Sequence, residues 1–185
     1  MAQSRRILGI DPGTSQMGYA VIESVGSSVH ILGLDILRLH RRQSHFARLS
    51  AIHETLKSIC HAYKPAEVAV EAPFFGKNVQ SLLKLGRAQG VAITVALSEG
   101  LPVFEYAPRK IKQSITGNGN ASKQQLARTL AQLLHFDSGA LPLDATDALG
   151  VALCHLLQRP LTVSFRQSKN WKDFISKHPE RLILP

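Results

Sequence analysis

The chain has 185 residues, of which 44% are hydrophobic, and its 22 Lys and Arg against 13 Asp and Glu give a formal net charge of +9. This length and apolar content predict one folded domain and exclude a disordered chain as the default, and no run of about 18 apolar residues could cross a bilayer. The positive charge favours a polyanionic partner, most often nucleic acid.

The cysteines and the first residues predict a cytoplasmic protein. Cys60 and Cys154 lie in apolar, helix-like stretches, which indicates core thiols in a reducing compartment rather than disulfides or a zinc cluster. Residues 1–6 contain no apolar segment ahead of the first strand, so we do not expect a signal peptide.

Apolar runs and alternation predict five strands, and apolar residues spaced three and four apart predict five helices. The predicted strands cover 7–10, 18–23, 29–39, 68–70 and 103–106, and the helices 44–63, 78–98, 109–115, 122–134 and 144–157. Tight turns between the first three strands predict an antiparallel meander, and the strand–helix alternation after it predicts βαβ units. The expected fold is therefore α/β, a mixed five-stranded sheet flanked by helices of the ribonuclease H-like kind.

A domain boundary is expected after residue 158, where the periodicity fades. Residues 159–185 contain six basic and two acidic side chains. We therefore expect one folded domain over 1–158 and a basic, flexible C-terminal extension over 159–185.

Four of the scarce acidic residues stand at the ends of predicted elements. Asp11 ends the first strand, Glu71 ends the apolar strand at 68–70, and Asp144 and Asp147 open the last helix, about 60° apart around its axis. Two unit charges about 5 Å apart repel by roughly 3 kcal/mol at an effective dielectric of about 20. Four converging carboxylates would need two divalent cations, and an all-oxygen set suits Mg²⁺, with Mn²⁺ as a substitute.

Each acid also has a purely structural interpretation. Asp11 precedes Pro12-Gly13 and could be a turn former, whereas Asp144 could be a helix N-cap and Asp147 a first-turn acid favoured by the helix dipole. Glu71 is harder to explain structurally. The metal site therefore depends on three distant segments meeting in space.

Four motifs carry a resemblance to a known family. They are Ile-Leu-Gly-Ile-Asp-Pro-Gly at 7–13 with Gly18-Tyr19, Ala-Val-Glu at 69–71 followed by Phe74, Lys77-Asn78 and Arg87, Glu-Tyr-Ala at 105–107 followed by Lys112, Gly117, Gly119 and Lys123, and Asp-Ala-Thr-Asp-Ala-Leu at 144–149. Together they resemble the RuvC family of crossover junction endodeoxyribonucleases over about residues 5–157.

The resemblance implies a homodimeric, Mg²⁺-dependent endonuclease that resolves four-way (Holliday) DNA junctions in recombination and repair. It implies paired nicks in strands of like polarity by two-metal hydrolysis, with RuvA and RuvB, which bind junctions and drive branch migration, as partners. Asp11, Glu71, Asp144 and Asp147 become metal-binding catalytic residues, and Lys112 and Lys123 become catalytic cations near the scissile phosphate.

The same resemblance makes Phe74 the aromatic that stacks on a base at the junction centre, although Phe75 is its neighbour and either could serve. The full set of expected DNA contacts is Phe74, Lys77, Asn78, Lys84, Arg87 and Lys110. Core packing is the alternative for both phenylalanines, and a solvated surface is the alternative for each lysine.

Three other functions compete with a junction nuclease. Asp11-Pro12-Gly13-Thr14 fits the phosphate loop of sugar-kinase or actin-like ATPases, but those proteins use two such domains and the chain has no second copy. A non-catalytic junction-binding module would not need all four acids. A shorter RNA nuclease of the same fold would not need the Phe74 region or the loop from Gly117 to Lys123.

Overall fold

The first half of the sheet is an antiparallel meander, as predicted. The computed structural model describes residues 4–40, 42–73, 78–137, 139 and 141–158. β1 (Arg5–Asp11) pairs antiparallel with β2 (Gln16–Val25), which pairs antiparallel with β3 (Ser28–Arg38).

Parallel strands complete the sheet. α1 (His45–Tyr63) leads to β4 (Glu67–Glu71), which lies parallel to β1, and α2 (Val79–Ser98) leads to β5 (Val103–Tyr106), which lies parallel to β4. The strand order is β3-β2-β1-β4-β5. Three helices follow, α3 (Pro108–Thr116), α4 (Lys123–Leu134) and α5 (Leu143–Gln158). The predicted mixed five-stranded sheet flanked by helices is confirmed.

Strand alternation divides the core into two layers. Leu8 and Ile10 of β1 pack with α1 and α2 on one face of the sheet, whereas Ile7 of β1 and Ala69 of β4 pack with α5 on the other. Because side chains alternate between faces, Asp11 projects on the same face as Ile7, and Glu71 on the same face as Ala69. Both acids therefore face the α5 layer.

α5 lies directly on the backbone of β1 and β2. A Cβ on Gly9 would overlap the carbonyl oxygen of Ala148 and come within 2.7 Å of the Ala152 nitrogen, and a Cβ on Gly18 would lie 2.6 Å from the Asp144 carbonyl carbon. Real Cβ atoms do not approach so closely. The two glycines therefore let the helix begin beside Asp11, whose partner across the β1–β2 ladder is Gly18.

The prediction for α5 was incomplete. The sequence indicated an apolar stripe of Ala148, Leu149, Ala152 and Leu156, but every residue from Ala145 to His155 is buried. The outer face is covered because α3 and α4 also pack on α5.

The C-terminal part of α5 is held by a buried polar network that the sequence did not reveal. The imidazole of His155 bonds through Nδ1 to the Tyr106 hydroxyl at 2.7 Å and through Nε2 to the Glu67 carboxylate at 2.6 Å. Arg5 forms an ion pair with the same carboxylate. Glu67 and Glu71 lie four residues, about 13 Å, apart on β4, and His155 and Asp147 lie eight residues, about 12 Å, apart on α5. The spacing of Glu67 and Glu71 along β4 therefore matches the spacing of His155 and Asp147 along α5.

Two further sequence predictions agree with the structure, and one lies outside the described residues. Cys60 and Cys154 are buried free thiols, as expected. Within the described residues, no helix has the length and apolar character needed to cross a membrane. The expected extension at 159–185 lies outside the described residues.

The close approach of α5 gives a test. Gly18→Ala should lower the melting temperature by about 5 °C or more, because helix backbone and strand must move apart. The expected nuclease activity should fall as well, because the same movement separates Asp144 from Asp11. Thermal denaturation and cleavage assays measure the two effects.

Ser28→Thr is the control, since it adds one methyl group to an exposed residue at the start of β3. Unchanged stability of the Gly18→Ala protein would show that α5 does not depend on this contact.

Candidate metal centre

Three of the four predicted acids share one small volume. Carboxylate oxygens of Asp11, Asp144 and Asp147 all lie within 4.8 Å of one another. Asp11 comes from the end of β1, whereas Asp144 and Asp147 come from the first two turns of α5. The helix lies against β1, so residues more than 130 positions apart in sequence become neighbours.

Glu71 is the fourth member of the cluster. It shares a cleft with Asp11, lined also by Pro12 and Pro73. Among the charges that act on Asp11, that of Glu71 has the largest effect. The end of β4 therefore adds a fourth carboxylate beside the three that meet most closely.

The electrostatics of the cluster are those of anions crowded in a partly buried place. Burial raises the pKa of Asp11 to about 8, and repulsion from Glu71, Asp147 and Asp144 contributes to the rise. Burial, followed by repulsion from Asp147, raises the pKa of Glu71 to about 7. Burial also raises the pKa of Asp147, against the attraction of Lys123. The protein alone therefore favours the protonated form of Asp11 at neutral pH and holds Glu71 close to its midpoint there.

Lys123 is the cation in direct contact with the cluster. Its ammonium lies 3.0 Å from Asp144 and forms a second ion pair with Asp147. Burial alone would lower the pKa of Lys123, but the hydrogen bonds and charges of Asp147 and Asp144 raise it above its ordinary value. Lys123 is the first residue of α4, and Ser122 and Gln125 form a capping box at the start of that helix.

Lys112 acts on the cluster from α3. Its charge lowers the pKa of Glu71 and that of Asp147. Both predicted lysines therefore interact with the predicted acids. Lys123 is in direct contact with two of them, and Lys112 acts on them through its charge.

Two glutamines at the site were not predicted. Gln16 at the start of β2 donates its amide hydrogen to Asp144. Gln89 of α2 lines the Asp11–Glu71 cleft, donates to Glu105 at 2.6 Å and lies 3.4 Å from the carbonyl oxygen of Glu71. Gln89 could have been noticed in the sequence, because it is a polar residue beside Ala88 and Ala92 on the apolar face of α2. All three residues are buried in the structure. None existed for Gln16.

Four of the six residues expected to contact DNA lie in the part of the chain that the structure describes. Asn78 is the N-cap of α2, where its side chain accepts a hydrogen bond from the Ser81 amide at 3.1 Å. Lys84 and Arg87 follow on α2 near His45. The charge of Lys110 acts on Cys154, about 10 Å along α5 from Asp147. Phe74 and Lys77, like Phe75, lie outside the described residues.

The donor set fits hard divalent cations. Every predicted ligand is a carboxylate, which is the chemistry that Mg²⁺ and Mn²⁺ prefer, and the described cluster contributes no sulfur or imidazole. Burial and the repulsion of neighbouring carboxylates raise the pKa of Asp11 and that of Glu71, so added positive charge would stabilise the ionised form of both. The arrangement could therefore hold metal ions and direct them at an anionic substrate.

Comparisons with known proteins identify the family of the chain. The family model "Crossover junction endodeoxyribonuclease RuvC" matches residues 7–155. Proteins of that name from Bacteroides fragilis and Cytophaga hutchinsonii are 52% and 49% identical to the chain, over 95% and 96% of it and 95% and 88% of their own lengths.

The fold is shared with a solved structure. RuvC of Thermus thermophilus, determined in complex with a Holliday junction substrate, superposes with a TM-score of 0.77 at 29% identity, covering 83% of this chain and 93% of that one. The family match covers most of the chain and includes all four acids. This chain therefore belongs to the RuvC family of crossover junction endodeoxyribonucleases.

Proposed function

We propose that the chain resolves four-way DNA junctions as a metal-dependent endonuclease, by paired nicks in strands of like polarity. The observation that carries the proposal is the meeting of Asp11, Asp144 and Asp147 within 4.8 Å. Glu71 shares a cleft with Asp11. Relatives at about half identity are named crossover junction endodeoxyribonucleases. An acid cluster retained in a member of a nuclease family supports catalysis rather than binding alone.

The chain's own residues would act through charge and position. Asp11, Glu71, Asp144 and Asp147 would hold two Mg²⁺ ions, with Mn²⁺ as a substitute, because −4 is then balanced by +4. When bound, such ions activate water and stabilise the leaving oxygen of a phosphodiester. Lys112 and Lys123 would add positive charge where the phosphate becomes more negative. The partial burial of the acids strengthens these interactions by excluding water.

Paired nicks require two active sites, and α2 offers a surface for a second copy of the chain. One stripe of α2 faces away from the core and is apolar or small along its whole length. Its members are Val79, Leu83, Gly86, Gly90, Thr94 and Leu97, all of them exposed. Small residues at Gly86 and Gly90 would allow another helix to pack closely. We propose that the homodimer forms across this stripe.

Other parts of the proposal depend on the resemblance alone. These are the roles of Phe74 and Lys77, the action with RuvA and RuvB, the place in recombination and repair, and the cytoplasmic location. They stay predictions.

A four-way junction labelled on each strand in turn tests the activity. With Mg²⁺, the protein should nick two strands of like polarity at symmetric positions and leave duplex DNA and RNA largely intact. Glu71→Gln and Asp147→Asn should each lower the cleavage rate at least about 100-fold, equivalent to about 2.7 kcal/mol, while junction binding persists.

The controls make the same chemical changes at acids outside the cluster. These are Glu54→Gln on α1, where Glu54 contacts His53, and Asp137→Asn, where Asp137 accepts a hydrogen bond from the Gly139 amide. Both variants should cleave normally. Near-normal cleavage by either cluster variant, or an uncut junction with the unaltered protein, would contradict the proposal.

The raised pKa of Asp11 gives a second test. Its pKa is about 8 in the folded, metal-free protein against an ordinary value of 3.8, so folding takes up a proton between these values. The free energy of unfolding without metal should therefore fall as the pH rises from about 4 through 8. Asp11→Asn should weaken that dependence and raise the melting temperature in EDTA at pH 8.5 by about 3–6 °C.

Magnesium should stabilise the unaltered protein more than the Asp11→Asn protein. It should stabilise the unaltered protein more at pH 8.5 than at pH 6, because binding must displace protons, and should stabilise the Asp11→Asn protein much less. Thermal denaturation at several pH values measures both effects. An Asp11→Asn protein less stable than the unaltered one in EDTA at pH 8.5 would show that the carboxylate is not under electrostatic strain.

A charged substitution in the α2 stripe tests the proposed dimer surface. Leu83→Glu should convert the dimer to a monomer in light scattering, because two buried glutamates would face each other across the symmetry axis. Cutting should change from paired to rare single nicks. Leu133→Glu on α4 is the control, since Leu133 is 53% exposed against 59% for Leu83. Equal behaviour of the two variants would place the interface elsewhere.

A further inference from the structure

A basic cluster stands at the catalytic end of the sheet, on the opposite face from α5. It consists of His45 and Arg48 from the start of α1 and Lys84 and Arg87 from the first half of α2. Both helices follow strands that end at the same edge as Asp11 and Glu71, so both begin there. We refer to these four residues as the α1–α2 basic cluster.

Arg48 ties the cluster to the turn that carries Asp11. Its guanidinium donates through Nη1 to the carbonyl oxygen of Thr14 at 2.8 Å, three residues after Asp11. A ligand that contacts Arg48 would therefore be held at a fixed position relative to the acids.

Two nitrogens of the cluster are buried without a hydrogen-bond partner within the part of the chain that the structure describes. They are Nε2 of His45 and Nε of Arg48. A buried polar nitrogen without a hydrogen-bond partner destabilises a protein. Both side chains are themselves partly exposed, so rotation of either would bring its nitrogen to an acceptor outside the protein.

The charge around these atoms selects an anion. Burial lowers the pKa of His45, and the positive charges of Arg87, Arg48 and Lys84 lower it further. Arg87 also lines the groove between the two helices, beside Leu49 and Val91. At the first turn of α1, free backbone amides add to the positive field.

We propose that the α1–α2 basic cluster binds a backbone phosphate of the junction, on the strand that continues from the scissile phosphate across the edge of the sheet. Lys112 and Lys123 lie on the α5 side of that edge, and this cluster lies on the α1–α2 side. One strand crossing the edge meets both. The assignment rests on the proposed function and adds His45 and Arg48 to the residues that hold the substrate.

Salt dependence distinguishes a phosphate contact from general positive charge. Junction affinity is measured by fluorescence anisotropy in EDTA, where no cutting occurs, between about 50 and 200 mM salt. The Lys84→Gln/Arg87→Gln protein should bind about tenfold more weakly, and the slope of log affinity against log salt should fall by about 0.9, as for one lost phosphate contact. His45→Leu should weaken binding about threefold with the fold intact by circular dichroism.

The matched control removes two charges from the other end of α1. Lys57 and Lys64 are exposed, and Lys57 lies about 18 Å along the helix from His45. The Lys57→Gln/Lys64→Gln protein should keep the slope of the unaltered protein. Equal slopes for the two double variants would overturn the assignment, as would normal binding by the His45→Leu protein.

Cleavage by the unaltered protein separates this inference from the activity. An unaltered protein that does not cut junctions with Mg²⁺ would refute the proposed function. One that cuts, together with equal slopes for the two double variants, would refute the phosphate site alone. Binding of inorganic phosphate at His45 with no change in junction affinity on substitution would also refute it, since the occupant would then be a free anion.

Discussion

The site depends on how closely α5 approaches β1 and β2. Gly9 and Gly18 are the positions at which a side chain would collide with the helix backbone, and the contact at Gly18 places the start of α5 beside Asp11. The Glu67–His155–Tyr106 network fixes the other end of the same helix. Because α5 is anchored at both ends and buried between, Asp144 and Asp147 cannot move away from the strand acids to relieve their repulsion.

That fixed geometry keeps carboxylates together despite their charge. The pKa of Asp11 is about 8 and that of Glu71 about 7, so folding brings them to positions where the ionised form is disfavoured. Lys123 offsets part of the repulsion through Asp144 and Asp147. Packing of α5 therefore stabilises an arrangement of carboxylates that their repulsion alone would disfavour.

Local patterns predicted the elements well because strands and helices follow periods of two and 3.6 residues. The four acids were identified because acidic residues are scarce and these stand at element ends. The sequence could not show that they converge, since that depends on contacts between residues up to 136 positions apart, such as Asp11 and Asp147. Single polar residues such as Gln16, His45 and His155 carry no periodic signal, so only tertiary contacts reveal what they do.

Topology explains why the features that bear on function collect at one edge. β1, β4 and β5 run parallel, so their carboxyl ends meet there, and the helices α1 and α2 start from that edge. Carboxyl ends of strands present acids, whereas helix starts present amides and positive dipole ends. The acids face α5 and the α1–α2 basic cluster lies on the opposite face. Under the two proposals above, a nucleic-acid strand crossing this edge would meet a site for cations and a site for its own phosphates.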